Sequence, residues 1–237
     1  MAVLNAEEEI QNKIWQQSRL MEYFNTLPVS QILIEHMEAD DVIAVLCGLY
    51  KDAQKVIISS DKDFFQLLDD TTVLYRPVQK EILNKKAIVE KFNIHPTNFT
   101  LARAMAGDKS DNIEGIGGVG LKSAAKRFPF LKEEKSYSIS HLVEYGKKML
   151  EESDLKIYNS VVEQKELLAE NYKIMQLYCS SASPSSERTI KEAINNYPLG
   201  LNKTEMIKMM VQDGFAEISF DELFAHMRNI KRTNNEL

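Results

Sequence analysis

Apolar residues recur at helical spacing over residues 6–27, where Ile10, Ile14, Met21 and Phe24 line one stripe and Asn5 or Glu7 stands near the start. The period then changes. Gln31–His36 (QILIEH) and Lys55–Ser59 (KVIIS) are short apolar runs of strand type, and Glu38–Tyr50 between them reads as a helix with acids in its first turn. Asp63–Asp69 predicts a short helix, Thr72–Tyr75 a third strand and Val78–Leu83 a fourth. Alternating strands and helices predict an α/β layer with parallel strands.

Beyond about Asn84 the strand signals fade. Helices are predicted at Lys85–Asn93, Pro96–Ala106, Leu121–Phe128, Ile139–Glu151, Leu155–Asn171, Ser186–Asn195, Lys203–Gln212 and Phe220–Ile230. Pro96 falls at a first-turn position, and Gly200 and Gly214 fall near helix ends. Ser180–Glu187 (SSASPSSE) is the linker-like stretch. The expected architecture is an α/β domain over residues 1–83 followed by an all-helical domain over residues 84–237.

Composition narrows the function classes. The 237 residues, 44% apolar and 27% charged, suffice for a sizeable core and exclude a disordered or collagen-like chain. The longest apolar run, Val42–Tyr50, is far shorter than the roughly 18 residues a membrane span requires. Two cysteines form neither a disulfide framework nor a metal cluster, which places the chain in a reducing cytoplasm, a host's cytoplasm if the chain is phage-encoded. The net charge of −6 argues against a simple polyanion coat.

Three acidic clusters carry the candidate chemistry. Glu38, Asp40 and Asp41 follow the QILIEH run, Asp61 and Asp63 follow KVIIS, and Asp108 and Asp111 lie in the loop GDKSDN. Each has a plain structural reading: helix first-turn acids, an N-cap, an Asx-rich turn. If the strands are neighbours in a parallel sheet, the first two clusters share one edge, where open α/β sheets place ligands. Two carboxylates about 4 Å apart repel by roughly 4 kcal/mol at an effective dielectric of 20. Divalent cations relieve such repulsion, and a pair of them activates water against a phosphodiester. With no His in the clusters, Mg²⁺ is expected rather than zinc.

Gly115-Ile116-Gly117-Gly118-Val119-Gly120 matches G-x-G-x-x-G, but the polar GDKSDNIE before it is no strand, so a dinucleotide fold is not expected. Four glycines within six residues instead predict a hairpin between helices whose backbone approaches a phosphate closely. Lys122, Ser123 and Lys126 can add phosphate contacts on one side of the next helix.

The order EADD, SSDKDF, GDKSDN, GIGGVG-x-K-S-A-A resembles the 5′-nuclease family of flap endonucleases, polymerase-linked 5′–3′ exonucleases and phage ribonuclease H, the phage branch most of all. The resemblance covers about Gln31 to Lys126. It implies an incomplete PIN-like parallel sheet plus a helical domain with a helix–hairpin–helix at about residues 97–128. It also implies two Mg²⁺ ions, with Mn²⁺ able to substitute, held by Glu38, Asp40, Asp61, Asp63, Asp108 and Asp111, with Asp41 beside them. Asp40, Asp61 and Asp63 would be catalytic. Gly115, Gly117, Gly118 and Gly120 with Lys122, Ser123 and Lys126 would grip the duplex backbone, and the hairpin would hold K⁺. The implied activity is metal-dependent cleavage from 5′ ends of flaps, nicked duplexes and the RNA strand of RNA–DNA primers in DNA replication. A sliding clamp and a single-strand binding protein are the implied partners.

The pattern departs from the family at its start. Residues 1–37 contain no Asp, where the family places a first strand ending in a metal-binding Asp and then a basic arch. The first strand of the sheet is therefore expected to be missing, leaving Gln31–His36 and Lys55–Ser59 without a neighbour. A separate N-terminal polypeptide, a truncated nuclease, or a non-catalytic duplex-binding module are the three readings. Setting seven site acids aside moves the charge balance from −6 to +1, which removes the objection to DNA.

Overall fold

The computed structural model describes residues 5–177, 183–196, 200–215 and 219–234, with side chains to residue 228. The chain divides into two compact units: residues 37–182, and residues 1–36 with 183–237.

The larger unit is built on a small sheet. Strands β1 (Lys55–Ile58), β2 (Thr72–Arg76) and β3 (Glu81–Leu83) pair in the order β1-β2-β3. β1 and β2 run parallel with Ile57 opposite Leu74, whereas β2 and β3 run antiparallel with Leu74 opposite Leu83. The sheet is therefore mixed rather than wholly parallel. Pro77–Lys80 form a tight turn with Lys80 at φ 52°, and so short a connection can only reverse the chain. The row Ile57, Leu74 and Leu83 is buried, and the opposite face leaves Val56 62%, Ile58 69% and Ile82 67% exposed.

The helices follow the apolar period closely. Helix α1 (Ala6–Asn25) belongs to the smaller unit, and α2 (Ala39–Leu49) opens the larger one. After the sheet come α3 (Lys85–Phe92), α4 (Phe99–Ala106), α5 (Leu121–Arg127), α6 (Ile139–Glu152), α7 (Lys156–Glu163) and α8 (Lys165–Met175). Residues 63–67 and 96–98 are 3₁₀ turns, and the helix expected over Leu155–Asn171 is broken at Gln164. α4 is apolar on every side but one and is buried from Phe99 to Met105, the behaviour of a central helix. Phe65, Phe92 and Phe99 meet around it, with ring centroids 5.2–5.6 Å apart. One core joins Ile57, Leu74 and Leu83 to Leu101, Met105, Leu142 and Leu168. The boundary expected at residues 83/84 thus lies inside a single core, because the sheet needs the helices to cover its buried face.

The expected strand Gln31–His36 is not formed. These residues make no ladder among the described residues, Leu33 is 87% exposed, and His36 turns the chain at φ 60°. Strand propensity is expressed only where a neighbour supplies the hydrogen bonds, and β2 supplies them to Lys55–Ile58 on one side and Glu81–Leu83 on the other, not to Gln31–His36. Lys55–Ile58 therefore has one strand neighbour, not none.

In the smaller unit, Asn5 caps α1 through a capping box with Glu8. Helices α9 (Pro184–Asn195), α10 (Lys203–Gln212) and α11 (Phe220–Asn234) complete it. Of the linker-like stretch, residues 180–182 lie outside the described residues, while Ser183 caps α9 and Pro184 opens it. Leu27, Met206, Met210 and Phe224 form its core. Arg19 pairs with Asp213 at 2.7 Å, and Tyr23 donates its hydroxyl to the same carboxylate at 2.6 Å.

Candidate functional site

The seven acids fall into two groups within the larger unit. Glu38 stands at the N-cap of α2 without capping it, and Asp40 and Asp41 occupy the first turn. Asp40 Oδ1 accepts the Asp41 amide at 2.8 Å. The Asp41 carboxyl is pushed above its ordinary range by burial, then by the charges of Asp40 and Glu38. Asp61 follows the end of β1 as an exposed turn residue whose Oδ1 accepts the Asp63 amide at 2.9 Å.

The second group is tighter. Asp63 opens a 3₁₀ turn, and Asp108 lies in the loop after α4. Both reach the same cation: one terminal guanidinium nitrogen of Arg103 lies 2.6 Å from Asp63 Oδ1 and 2.5 Å from Asp108 Oδ2. Burial pushes the Asp63 carboxyl up to about 6; Arg103 opposes this, and the charges of Asp61, Asp108 and Asp111 add to it. Asp108 moves the other way, held below its ordinary value chiefly by the Ser110 hydroxyl, with further help from the Ser110 amide and Arg103. Asp111 is exposed in the same loop. No three Asp, Glu, His or Cys among the described residues are arranged to hold a metal ion together. The two acidic groups are thus not brought into one ligand shell.

The donor chemistry nevertheless fits a hard divalent cation. The charges of Asp61, Asp108 and Asp111 all act on Asp63, and among the described residues Arg103 is the cation that opposes them there. These are oxygen donors without imidazole or thiolate, and one guanidinium leaves negative charge uncompensated.

The Asp63 shift makes a prediction. Between the ordinary carboxylate value of 3.8 and about 6, the folded chain holds a proton there that the unfolded chain has released. That contribution to stability is full below 3.8 and is lost as pH rises through 6, about 3 kcal/mol in all. His95, depressed by burial, tilts the curve the other way below its ordinary value. In chelator, the melting temperature of wild type minus that of Asp63→Asn is expected to fall from pH 4 to pH 7. A difference that stays flat would contradict the burial of Asp63.

Residues 107–120 connect α4 to α5 and carry the glycines. Asp108 and Ile113 exchange backbone hydrogen bonds of 2.8 and 2.7 Å, and Ile116 donates to Met105 O at 2.8 Å. Buried Asn171 of α8 donates to the carbonyls of Ala104 (3.0 Å) and Glu114 (2.8 Å), tying the loop to the helix end. Gly107 and Gly115 pack backbone to backbone, so a Cβ on either would lie under 3.0 Å from main-chain atoms of the other segment. Gly117, Gly118 and Gly120 are different: they are exposed, with nothing within 4 Å of an added Cβ. The loop borders an open groove of about 690 Å³ lined by Asp108, Lys109 and residues 112–120. Lys122 and Lys126 are exposed on α5, whereas the Ser123 hydroxyl is used internally, bonded to the Gly120 amide and carbonyl at 2.9 Å each.

Two residues escape a reading by motif. Asn171 carries no sequence signal. Arg103 does carry one, as the single charge in the apolar helix FTLARAMA, five residues before Asp108.

Residues 6–93 match the family model of the 5′–3′ exonuclease, N-terminal resolvase-like domain. A 5′–3′ exonuclease of Aquifex aeolicus is 31% identical over 194 residues, covering 79% of this chain and 63% of that protein. The thermostable DNA polymerase I of Thermus aquaticus is 33% identical over 112 residues, covering 45% of this chain and 13% of that protein. The chain thus spans less than two thirds of the length of these relatives. Among solved structures, the zinc-bound 5′-exonuclease of bacteriophage T5 superposes with a TM-score of 0.59 at 20% identity, covering 70% of this chain and 62% of that one. The flap endonuclease of bacteriophage T5 in complex with DNA and metal ions gives 0.58 at 18% identity, covering 87% of this chain and 72% of that one. At such identities the structures speak for the fold, and the sequence matches speak for descent. Family model, sequence relatives and fold together support a 5′-nuclease family for this chain.

Proposed function

We propose that this chain is the carboxylate-bearing and duplex-gripping part of a structure-specific 5′-nuclease. It would hydrolyse phosphodiesters from 5′ ends in flaps, nicked duplexes and the RNA strand of RNA–DNA primers, as a replication enzyme of the ribonuclease H type. The observation that carries this reading is the convergence of Asp63 and Asp108 on one buried cationic position, beside the groove under the exposed glycines. Asp61, Asp63, Asp108 and Asp111 would hold one Mg²⁺, or Mn²⁺ in its place. Glu38, Asp40 and Asp41 would supply oxygen donors for a second. When bound, such ions polarise the phosphoryl group and lower the pKa of the attacking water.

The chain's own residues bind and orient. Gly117, Gly118 and Gly120 present backbone that a phosphate can approach, and Lys122 and Lys126 add charge on one side of α5. A K⁺ ion held by loop carbonyls belongs to the same proposal. The exposed apolar face of β1 and β3 supports a further partner, a polypeptide whose strand pairs with the open edge of β1 and covers Val56, Ile58 and Ile82. A sliding clamp and a single-strand binding protein are the partners that a replication role implies. Among the described residues no helix is long and apolar enough to cross a membrane.

The test is Mg²⁺-dependent cleavage of a 5′-labelled flap or RNA–DNA hybrid. It is run with the chain alone and with a polypeptide supplying the strand. The absence of a three-residue metal cluster among the described residues favours one rival, a duplex-binding module without catalysis. That rival predicts binding in both states and product in neither.

The grip has its own prediction. Gly117→Ala is expected to leave stability within about 0.5 kcal/mol, since the added methyl meets open space, yet to weaken duplex binding. Lys122→Ala is expected to reduce the slope of log affinity against log salt by about one unit. An unchanged slope for Lys122→Ala would remove that residue from the phosphate contacts.

A further inference from the structure

Arg103 is a poorly satisfied arginine in a place where a metal ion would be well satisfied. Its side chain is 9% exposed, on a helix that is otherwise apolar. An arginine pairing with a carboxylate frequently uses its planar fork, two parallel bonds to one carboxylate. Here a single terminal nitrogen is shared between oxygens of Asp63 and Asp108, which come from segments 45 residues apart. Meanwhile the buried Nε has no hydrogen-bond partner. The terminal nitrogen's two N–H groups account for both contacts, and the point it occupies between two carboxylate oxygens is also one that a small divalent cation bound by oxygen ligands would take. The position also gathers further negative charge, since Asp61 and Asp111 act on Asp63 together with Asp108, against the single guanidinium of Arg103.

We propose that Arg103 is a resident counter-cation that a divalent ion displaces. In the metal-free chain it keeps Asp63 and Asp108 together against their mutual repulsion. Metal binding requires it to release at least one of them. Arg103 is then a positioning residue: it sets the metal affinity and prevents the carboxylates from separating before the metal arrives. This inference rests on the metal reading of the carboxylates given above.

Two measurements test it, both on the full chain. The first is the arginine side-chain ¹⁵N spectrum of the wild type during a Mg²⁺ titration, with the Arg103 Nε signal identified by its loss in Arg103→Lys. The signal is expected to shift in step with Mg²⁺ occupancy measured by calorimetry. The second is Mg²⁺ affinity in Arg103→Met, expected to rise about tenfold, the equivalent of releasing one charge-assisted hydrogen bond. Its metal-free melting temperature is expected to fall, and saturating Mg²⁺ to narrow the gap from wild type. If Arg103→Met does not fold, the wild-type titration decides alone. Saturable Mg²⁺ binding that leaves the Arg103 signal unmoved would overturn the displacement and leave the metal reading standing. No saturable binding by wild type or variant would overturn both.

Discussion

Asp63→Asn is expected to lower Mg²⁺-dependent cleavage of a flap duplex by about a thousandfold, while duplex affinity changes less than about threefold. The expectation follows from the position of Asp63. It is largely buried, its carboxyl is raised to about 6, and it meets Asp108 at Arg103 rather than facing the groove as a phosphate contact. Losing one carboxylate removes a negative charge that only a cation needs. The duplex, itself an anion, gains from the loss if it responds at all. A thousandfold corresponds to about 4 kcal/mol, within the range that charge stabilisation by a metal supplies. Because Asp63 also pairs with Arg103, Asp61→Asn serves as the companion variant: Asp61 is exposed and makes no ion pair with Arg103. The two variants are expected to lose cleavage alike and to keep the wild-type circular dichroism spectrum. Parallel losses of cleavage and binding in both would argue that these acids shape the fold of the site and hold no metal.

The largest stability effect is expected at Gly115. Gly115→Ala puts a methyl group under 3.0 Å from backbone atoms of Ala106 and Gly107, where no side-chain rotation can relieve it. Either the loop or the end of α4 must move, and the Asp108–Ile113 bridge and the Ile116–Met105 hydrogen bond depend on both. The cost is expected to be about 3 kcal/mol, at the upper end of ordinary overpacking. For a chain of this size it corresponds to a drop of roughly 6–12 °C in melting temperature. Gly117→Ala is the control within the same loop. A Gly115→Ala protein that melts with wild type would mean that the two strands of the loop are not in contact.

That contrast between glycines shows where sequence reading ends. As letters, Gly115, Gly117, Gly118 and Gly120 form one motif with one explanation. In the fold Gly115 is needed for contact with Gly107, and the other three are open to whatever binds. The acids divide in the same way. All seven are visible as motifs, yet Asp63 and Asp108 meet at Arg103 while Glu38, Asp40 and Asp41 form a separate group on α2. Ser123 was a candidate phosphate contact and is engaged as the cap of its own helix.

The periodicity of apolar residues by itself determined most of the helices, though not the break at Gln164 or the 3₁₀ turns, together with the strands β1 and β2 and the switch from mixed to all-helical structure. Those depend on side chains a few positions apart. The order of the acidic motifs determined the family, since order along a chain needs no fold to be read. Only the tertiary structure decided three other matters. Gln31–His36 is no strand, because pairing needs a neighbour that local pattern cannot supply. The sheet and the helices share one core across residue 84, because an apolar face is satisfied by whichever element reaches it. Arg103 stands between two carboxylates because α4 delivers its one charge to the point where a 3₁₀ turn and a glycine-hinged loop converge. An ion pair between residues 40 positions apart leaves no periodic trace in a sequence, since Coulomb's law acts on distance in space alone.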